Sequence, residues 1–275
     1  MVRLGAMSLD RARIDASEED IAAATAYENL HVPALFRQWA PRVIDAAGIA
    51  EGDRVLDVAC GTGVLAREAR VRTNAVDGVD ASPGMLTVAE QLEPAVRWKQ
   101  GLAESLPYPE ASFDAVVSQF GLMFFENREG ALAEMLRVLR PGGRLAVAVW
   151  ESLENSEAYP IEVALLGRLA GPEAANALRA PFVLGDRNEL RALFLKAGAD
   201  SVEIRTHEGR ARFPDIRTMV EADLRGWLPV MGVHLTEEQI SRILDEAGRV
   251  LSSYVTDDGS VEFASPAHIV SGSRP

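Results

Sequence analysis

Cysteine is nearly missing from this chain: Cys60 is the only one in 275 residues, so no intrachain disulfide can form. Packing and hydrogen bonds must hold the fold, as suits a reducing compartment. Lysine occurs only at Lys99 and Lys196 while arginine is abundant, a bias of genome composition. Positive charge as a whole is in deficit, with 28 basic against 41 acidic residues and a net charge of −13. Phosphate contacts need a basic face, which argues against nucleic acid as partner or substrate. No apolar run is long enough to span a bilayer, and the N-terminus carries no signal-type apolar region, so a cytoplasmic location is the expectation. The spacings that mark a hydrolytic triad, an HExxH zinc site, a metal-ligand cluster or a phosphate-loop lysine are also missing, and no metal is expected.

What is present can fill a core: 48% of the residues are hydrophobic, enough for one large α/β domain with an appended lid. Residues 1–15 have nothing to anchor them and are expected to be disordered. Ser17 followed by Glu18, Glu19 and Asp20 reads as a helix N-cap with acids in the first turn, opening a helical cover over residues 16–50. Over 51–150 the pattern alternates, with strands at 54–59, 75–80, 95–100, 113–119 and 143–150 and helices at 63–71, 83–92 and 127–139. That alternation predicts a parallel sheet with helices on both faces. Residues 151–183 read as a helical insertion, and 184–275 as the remainder of the core. Within that remainder, a helix near 189–197 and a strand over 202–208 return to the sheet, and a second helical insertion spans about 214–257 with a capping box at Thr236 to Gln239. Gly259 to Ser271 reads as one closing strand.

The segment from Val55 to Ala66 carries the chemistry. An apolar strand containing Asp57 gives way to Ala59, Cys60, Gly61, Thr62 and Gly63, and then to a helix. The glycines let the backbone turn and keep side chains away from a ligand, and the helix N-terminus offers unpaired N–H groups. Such a turn after a first strand is where nucleotide-like cofactors sit in doubly wound folds. Spacing alone leaves two cofactors open, since Gly61-x-Gly63-x-x-Ala66 and Asp80 also meet the loose dinucleotide fingerprint of a nicotinamide oxidoreductase.

Four motifs in order over residues 50–150 separate the two. Asp57-x-Ala59-Cys60-Gly61-Thr62-Gly63 is similar to the first motif of class I S-adenosylmethionine-dependent methyltransferases. Val79-Asp80-Ala81-Ser82-Pro83-Gly84-Met85-Leu86 resembles their second, Ala103 to Val116 their third, and Glu134 to Leu145 the segment that launches the fifth strand. The resemblance is nearest to small-molecule enzymes of the ubiquinone and menaquinone C-methyltransferase kind. It implies a Rossmann-like, seven-stranded, mostly parallel sheet with an antiparallel C-terminal hairpin and helical lid insertions. It also implies S-adenosyl-L-methionine as cofactor, held by Tyr27, Asp57, Ala59, Cys60, Gly61, Gly63, Asp80, Ala81, Met85, Leu102, Ala103, Gln119 and Phe120. Asp80 would take the ribose hydroxyls and Met85 would pack on adenine. One departure stands out: family members often carry Asp where this chain has Leu102, so a carboxylate contact to the adenine amino group is lost.

A sulfonium methyl group is already activated, so alignment and exclusion of water are the main tasks and a general base is optional. Catalytic residues are therefore hard to read, with His31 the one candidate base. Trp39 and Arg42 are weaker candidates on the same segment. His207, His234 and His268 lie in strand or insertion contexts. Apolar insertion residues such as Tyr159, Phe182, Trp227 and Met231 suit an apolar or aromatic small-molecule acceptor or plain packing. Open at this level are the acceptor, the choice among C-, O- and N-methylation, the oligomeric state (a homodimer being one option) and a non-catalytic cofactor-binding role.

Overall fold

Short runs such as Val55, Leu56 and Val58 or Ala115, Val116 and Val117 are apolar on both sides of the strand, and in the computed structural model both sides are buried. The structure describes residues 15–275, so all but the last residue of the stretch expected to be disordered lies outside the described residues. Strands β1 (Arg54–Val58), β2 (Ala75–Asp80), β3 (Arg97–Gln100), β4 (Phe113–Gln119), β5 (Leu139–Trp150), β6 (Asp200–His207) and β9 (Ala267–Ser273) form one sheet in the order β3-β2-β1-β4-β5-β9-β6. β1 to β5 pair in parallel, whereas β9 runs antiparallel to both β5 and β6. This is the mostly parallel seven-stranded sheet with an antiparallel terminal hairpin that the motifs implied.

Helices α3 (Val64–Arg70), α4 (Pro83–Leu92) and α5 (Arg128–Val138) connect the parallel strands. Ser82 caps α4 and Asn127 caps α5 through their side chains. Ahead of the sheet, α1 (Glu18–His31) starts on a Ser17–Asp20 capping box. It continues through a π turn at Val32–Phe36, where Pro33 sits in the first turn, and a 3₁₀ turn at Arg37–Trp39 into α2 (Ala40–Ala46).

Between β5 and β6 come α6 (Tyr159–Leu169), α7 (Pro172–Arg179) and α8 (Arg187–Lys196). Between β6 and β9 come β7 (Arg210–Phe213), α9 (Ile216–Ala222), a π turn at Asp223–Trp227, the short α10 (Leu228–Val230), α11 (Glu237–Val250) and β8 (Val261–Ala264). α6 packs on α7 and α11, and α11 on α9, so the two insertions form one helical cap.

Two expectations need correction. The single closing strand over 259–271 is two strands: β8 pairs with β7 in a separate two-stranded sheet, and only β9 joins the main sheet. The chain breaks at Pro266, which has no N–H to donate, while Ser265 N–H still donates to Gly209 O and extends the β7–β8 pairing by one residue. The fifth strand also starts earlier than 143, because Leu139 already pairs with Phe113 before a register shift at the glycine pair.

Candidate functional site

The positions predicted to hold the cofactor lie on α1 or at and just beyond the carboxyl ends of the parallel strands, the usual ligand crevice of such sheets. Gly61 and Gly63 both have positive φ (+54° and +88°), a conformation glycine adopts without a Cβ penalty. Asp57 reaches forward from β1 and accepts from Ala66 N–H at 2.9 Å, capping α3. Its Oδ1 is buried without a donor, and burial raises this carboxyl well above its usual range. Asp80 holds the other side of the turn, with Oδ2 accepting from Gly61 N–H and Oδ1 from Ser82 N–H, both at 2.8 Å. Burial raises Asp80 as well, against the lowering effect of those amides.

Cys60 is packed against Gly78 and donates its backbone N–H to Val79 O. Burial pushes its thiol up, so it acts as a small apolar residue rather than a nucleophile. Ala59 and Phe120 are non-glycine residues at positive φ, +54° and +56°. Such strain concentrates where strand ends are bent toward a site. Ala81 is exposed with its carbonyl accepting from Gln100 Nε2, Met85 is half-buried, and Ala103 is buried beside Leu102, which is 59% exposed. Nothing in the side chain of Leu102 can bond to a base edge. Leu102→Asp should therefore tighten binding of S-adenosylhomocysteine roughly tenfold, the worth of one charge-assisted hydrogen bond. Calorimetry giving equal or weaker affinity would count against that assignment.

α1 lies across the turn. The Tyr27 ring sits against Gly61, and Glu28 accepts from Thr62 Oγ1 at 2.5 Å and Arg67 Nη2 at 2.7 Å. Gly84 lets the Asp20 backbone approach α4, because a Cβ there would stand 2.6 Å from Asp20 O. Tyr27 stacks on His31 (5.7 Å between ring centres) and on Phe36 (5.4 Å). Phe36 touches Phe120 at 5.5 Å and Trp150 at 6.0 Å, and Phe120 stacks on Trp150 at 3.9 Å. A wall of rings thus runs from α1 to the ends of β4 and β5. Gln119 donates to Phe36 O and keeps a buried Oε1 without a donor.

His31 lies in this wall with a buried, unpartnered Nδ1, and burial lowers its pKa. Trp39 is a fully buried packing residue. Arg42 is directed elsewhere, over the Trp39 ring and to Glu208 O. His268 is a structural residue, bonded to Thr206 and Gly185 O. Tyr159 and Leu228 are buried in the cap, whereas Met231 is 37% exposed. Met231 borders a cleft of about 620 Å³ between Ala177 and His234 that contains none of the residues predicted to hold the cofactor. Sequence reasoning missed Phe36, Trp150 and Glu28, whose roles follow only from packing.

The turn is lined by acceptors and acid side chains. A dinucleotide would bring its pyrophosphate to the α3 N-terminus, but Asp57 already occupies that end through Ala66 N–H. A cation with hydroxyl and ammonium donors suits the same atoms: two unpartnered buried oxygens, on Asp57 and Gln119, and a carboxylate beside a bare glycine turn. Comparison with known proteins agrees. A methyltransferase domain model matches residues 56–147. The ubiquinone/menaquinone biosynthesis C-methyltransferase UbiE of Chromobacterium violaceum is 35% identical over 192 residues, covering 62% of this chain and 76% of that one.

The chain belongs to the class I S-adenosylmethionine-dependent methyltransferases.

Another relative of this chain is the demethylmenaquinone methyltransferase of Renibacterium salmoninarum, 45% identical over 112 residues. The match covers 41% of this chain and about half (47%) of the relative's length. Among solved structures, the YcgJ protein of Bacillus subtilis shares the fold, with a TM-score of 0.58 at 22% identity over 86% of this chain and 99% of that one. Among the described residues no helix is long and apolar enough to cross a membrane, and no cluster of side chains could hold a metal ion.

Proposed function

We propose that this methyltransferase moves the methyl group of S-adenosylmethionine to a small, flat, apolar acceptor by in-line displacement. The observation that carries this reading is the adjacency of an acid-lined glycine turn and a wall of aromatic rings at the ends of β4 and β5. Bound at the turn, the cofactor supplies a methyl group already activated on sulfonium, so no metal or covalent nucleophile is needed. Asp80 binds the ribose diol with the lone pair left on each oxygen. Leu102 and Ala103 meet the adenine edge through backbone groups, with Ala81 and Met85 beside them. Asp57 and Gln119 accept from the amino-acid end, Ala59, Cys60, Gly61 and Gly63 line the turn with small atoms, and Tyr27 covers it. Phe36, Phe120 and Trp150 exclude water and present flat faces to the acceptor.

The names of the curated relatives point to a quinol-type ring as the acceptor. The acidic charge and the lone buried cysteine fit a small-molecule enzyme of the cytoplasm rather than one acting on nucleic acid. Labelled S-adenosylmethionine with a panel of quinols, phenols and amines tests the reading. Incorporation into quinols or phenols is expected, and cofactor binding without transfer to any of them would leave a binding protein.

Where the acceptor must shed a proton, His31 takes it. Burial lowers this imidazole below its ordinary 6.5, so it is the neutral base at neutral pH. kcat/KM should rise with pH through a midpoint below 6.5 and then stay flat. His31→Ala should remove that acid limb and reduce the plateau by about 10²-fold or more. An unchanged pH profile in the variant removes His31 from the mechanism.

A further inference from the structure

The cap contains a charge arrangement that methyl transfer leaves unexplained. Glu162 on α6 is 0% exposed, Asp223 opens the π turn of the second insertion at 7%, and both sit in a helical interface. No donor reaches either oxygen of Glu162 or Oδ2 of Asp223. The group within hydrogen-bonding range of Glu162 is the Asp223 carboxyl itself. The neighbouring groups offer no counter-charge. Tyr159, on the same helix, brings a third acid. α11 turns Ile240, Ile243, Leu244 and Ala247 inward. The cations nearby are held at the rim, Arg168 and Arg249 on Glu246 and Arg225 on Glu221 and Glu237.

Two ionised carboxylates in contact in an apolar interface are untenable, and two carboxyls sharing one proton are stable there. From this juxtaposition we propose that Glu162 and Asp223 are positioning residues: sharing a proton, they clasp the two cap insertions together above the acceptor, and losing it parts them. The location follows from packing. The turn Ala180–Phe182 rests on Leu122–Phe124, the segment that leaves β4 just after Phe120. Phe182 packs on Tyr159 at 5.6 Å, one turn from Glu162. Trp227, which ends the same π turn as Asp223, packs on Phe124 at 5.0 Å and donates to Ala177 O. Movement of either carboxyl therefore reaches the strand end where the acceptor is placed. That placement rests on the proposed function above, whereas the clasp itself does not.

The sign follows from linkage. Burial raises both carboxyls in the closed cap, Asp223 to about 7 and Glu162 also upward, and an opened, solvated pair would titrate near 4. Closure is strongest below the solvated value and weakens as pH rises toward 7, about tenfold per unit for one shared proton. At still higher pH that proton's contribution is spent.

Hydrogen exchange on the full chain with saturating S-adenosylhomocysteine and no acceptor tests this. Protection factors for amides in α6 and residues 216–230 are compared with those in β4 and β5 between pH 5 and 7. The cap amides are expected to lose about 30- to 100-fold of protection relative to the sheet. In Glu162→Gln/Asp223→Asn, which cannot ionise, that relative loss should vanish. Cap protection constant across the wild-type series overturns the proposal even if the double variant does not fold, and an undiminished loss in a folded double variant overturns it equally. Because no acceptor is present, failure of the quinol reading would show in the turnover panel and not here.

Discussion

Asp80→Ala is expected to weaken binding of S-adenosylhomocysteine by on the order of 10²-fold or more. The carboxylate is the one side chain at the turn able to take both hydroxyls of a ribose, and hydrogen bonds to a charged group are worth about 1.5–3 kcal/mol each. The substitution also strips partners from Gly61 and Ser82 N–H, so the free protein should melt earlier as well. Asp80→Asn keeps one carbonyl acceptor and should lose affinity by an intermediate factor. Since burial raises Asp80, it becomes protonated at a higher pH than a surface carboxylate, and affinity should decline on acidification sooner than an ordinary Asp would dictate. Isothermal titration decides the matter: an Asp80→Ala dissociation constant within about threefold of wild type would move the ribose elsewhere.

Gly63→Ala should destabilise the protein by about 2–5 kcal/mol, from two separable causes. The positive φ of +88° is strained for any residue with a Cβ, about 1–2 kcal/mol. The added methyl would also lie 2.5 Å from Cη2 of Trp98, and overpacking of this kind costs about 1–3 kcal/mol. The same indole covers Gly78, its register partner across β2 and β3, where φ is not positive and only the clash operates. In a Trp98→Leu background, Gly78→Ala should lose most of its cost, keeping only a tight contact with Cys60 Sγ at 3.2 Å, while Gly63→Ala keeps its backbone penalty. Thermal melts of the three single and two double variants provide the two cycles, with a shift of about 2–4 °C per kcal/mol expected at this size. Equal rescue at both positions would show that backbone strain at Gly63 is negligible.

Much of the fold was legible because its signals are local. The strands at 75–80 and 113–119 and the helix at 83–92 occur as read, since buried parallel strands are short apolar runs and their helices begin on side chains that cap. Ser265 and Pro266 defeat the same reasoning. Alternation continues through them, but β8 leaves for a partner strand remote in sequence. Much of the candidate site was legible too, with the glycine turn, Asp57 and Asp80 adjacent in space as their spacing in the chain suggested. Phe36 and Trp150 were not, because each looks like core filler until the sheet brings them against Phe120.

The class of fold, the turn and its acids, the family and therefore the cofactor were already set by the order of residues, because those depend on contacts within a strand, a loop and the next helix. Only packing brings Asp57 onto the α3 N-terminus that a pyrophosphate would need, closes α1 over the turn through Glu28, and sets Glu162 against Asp223. Each of these joins residues far apart in the chain, whose burial and charge environment come into being only when separate elements pack.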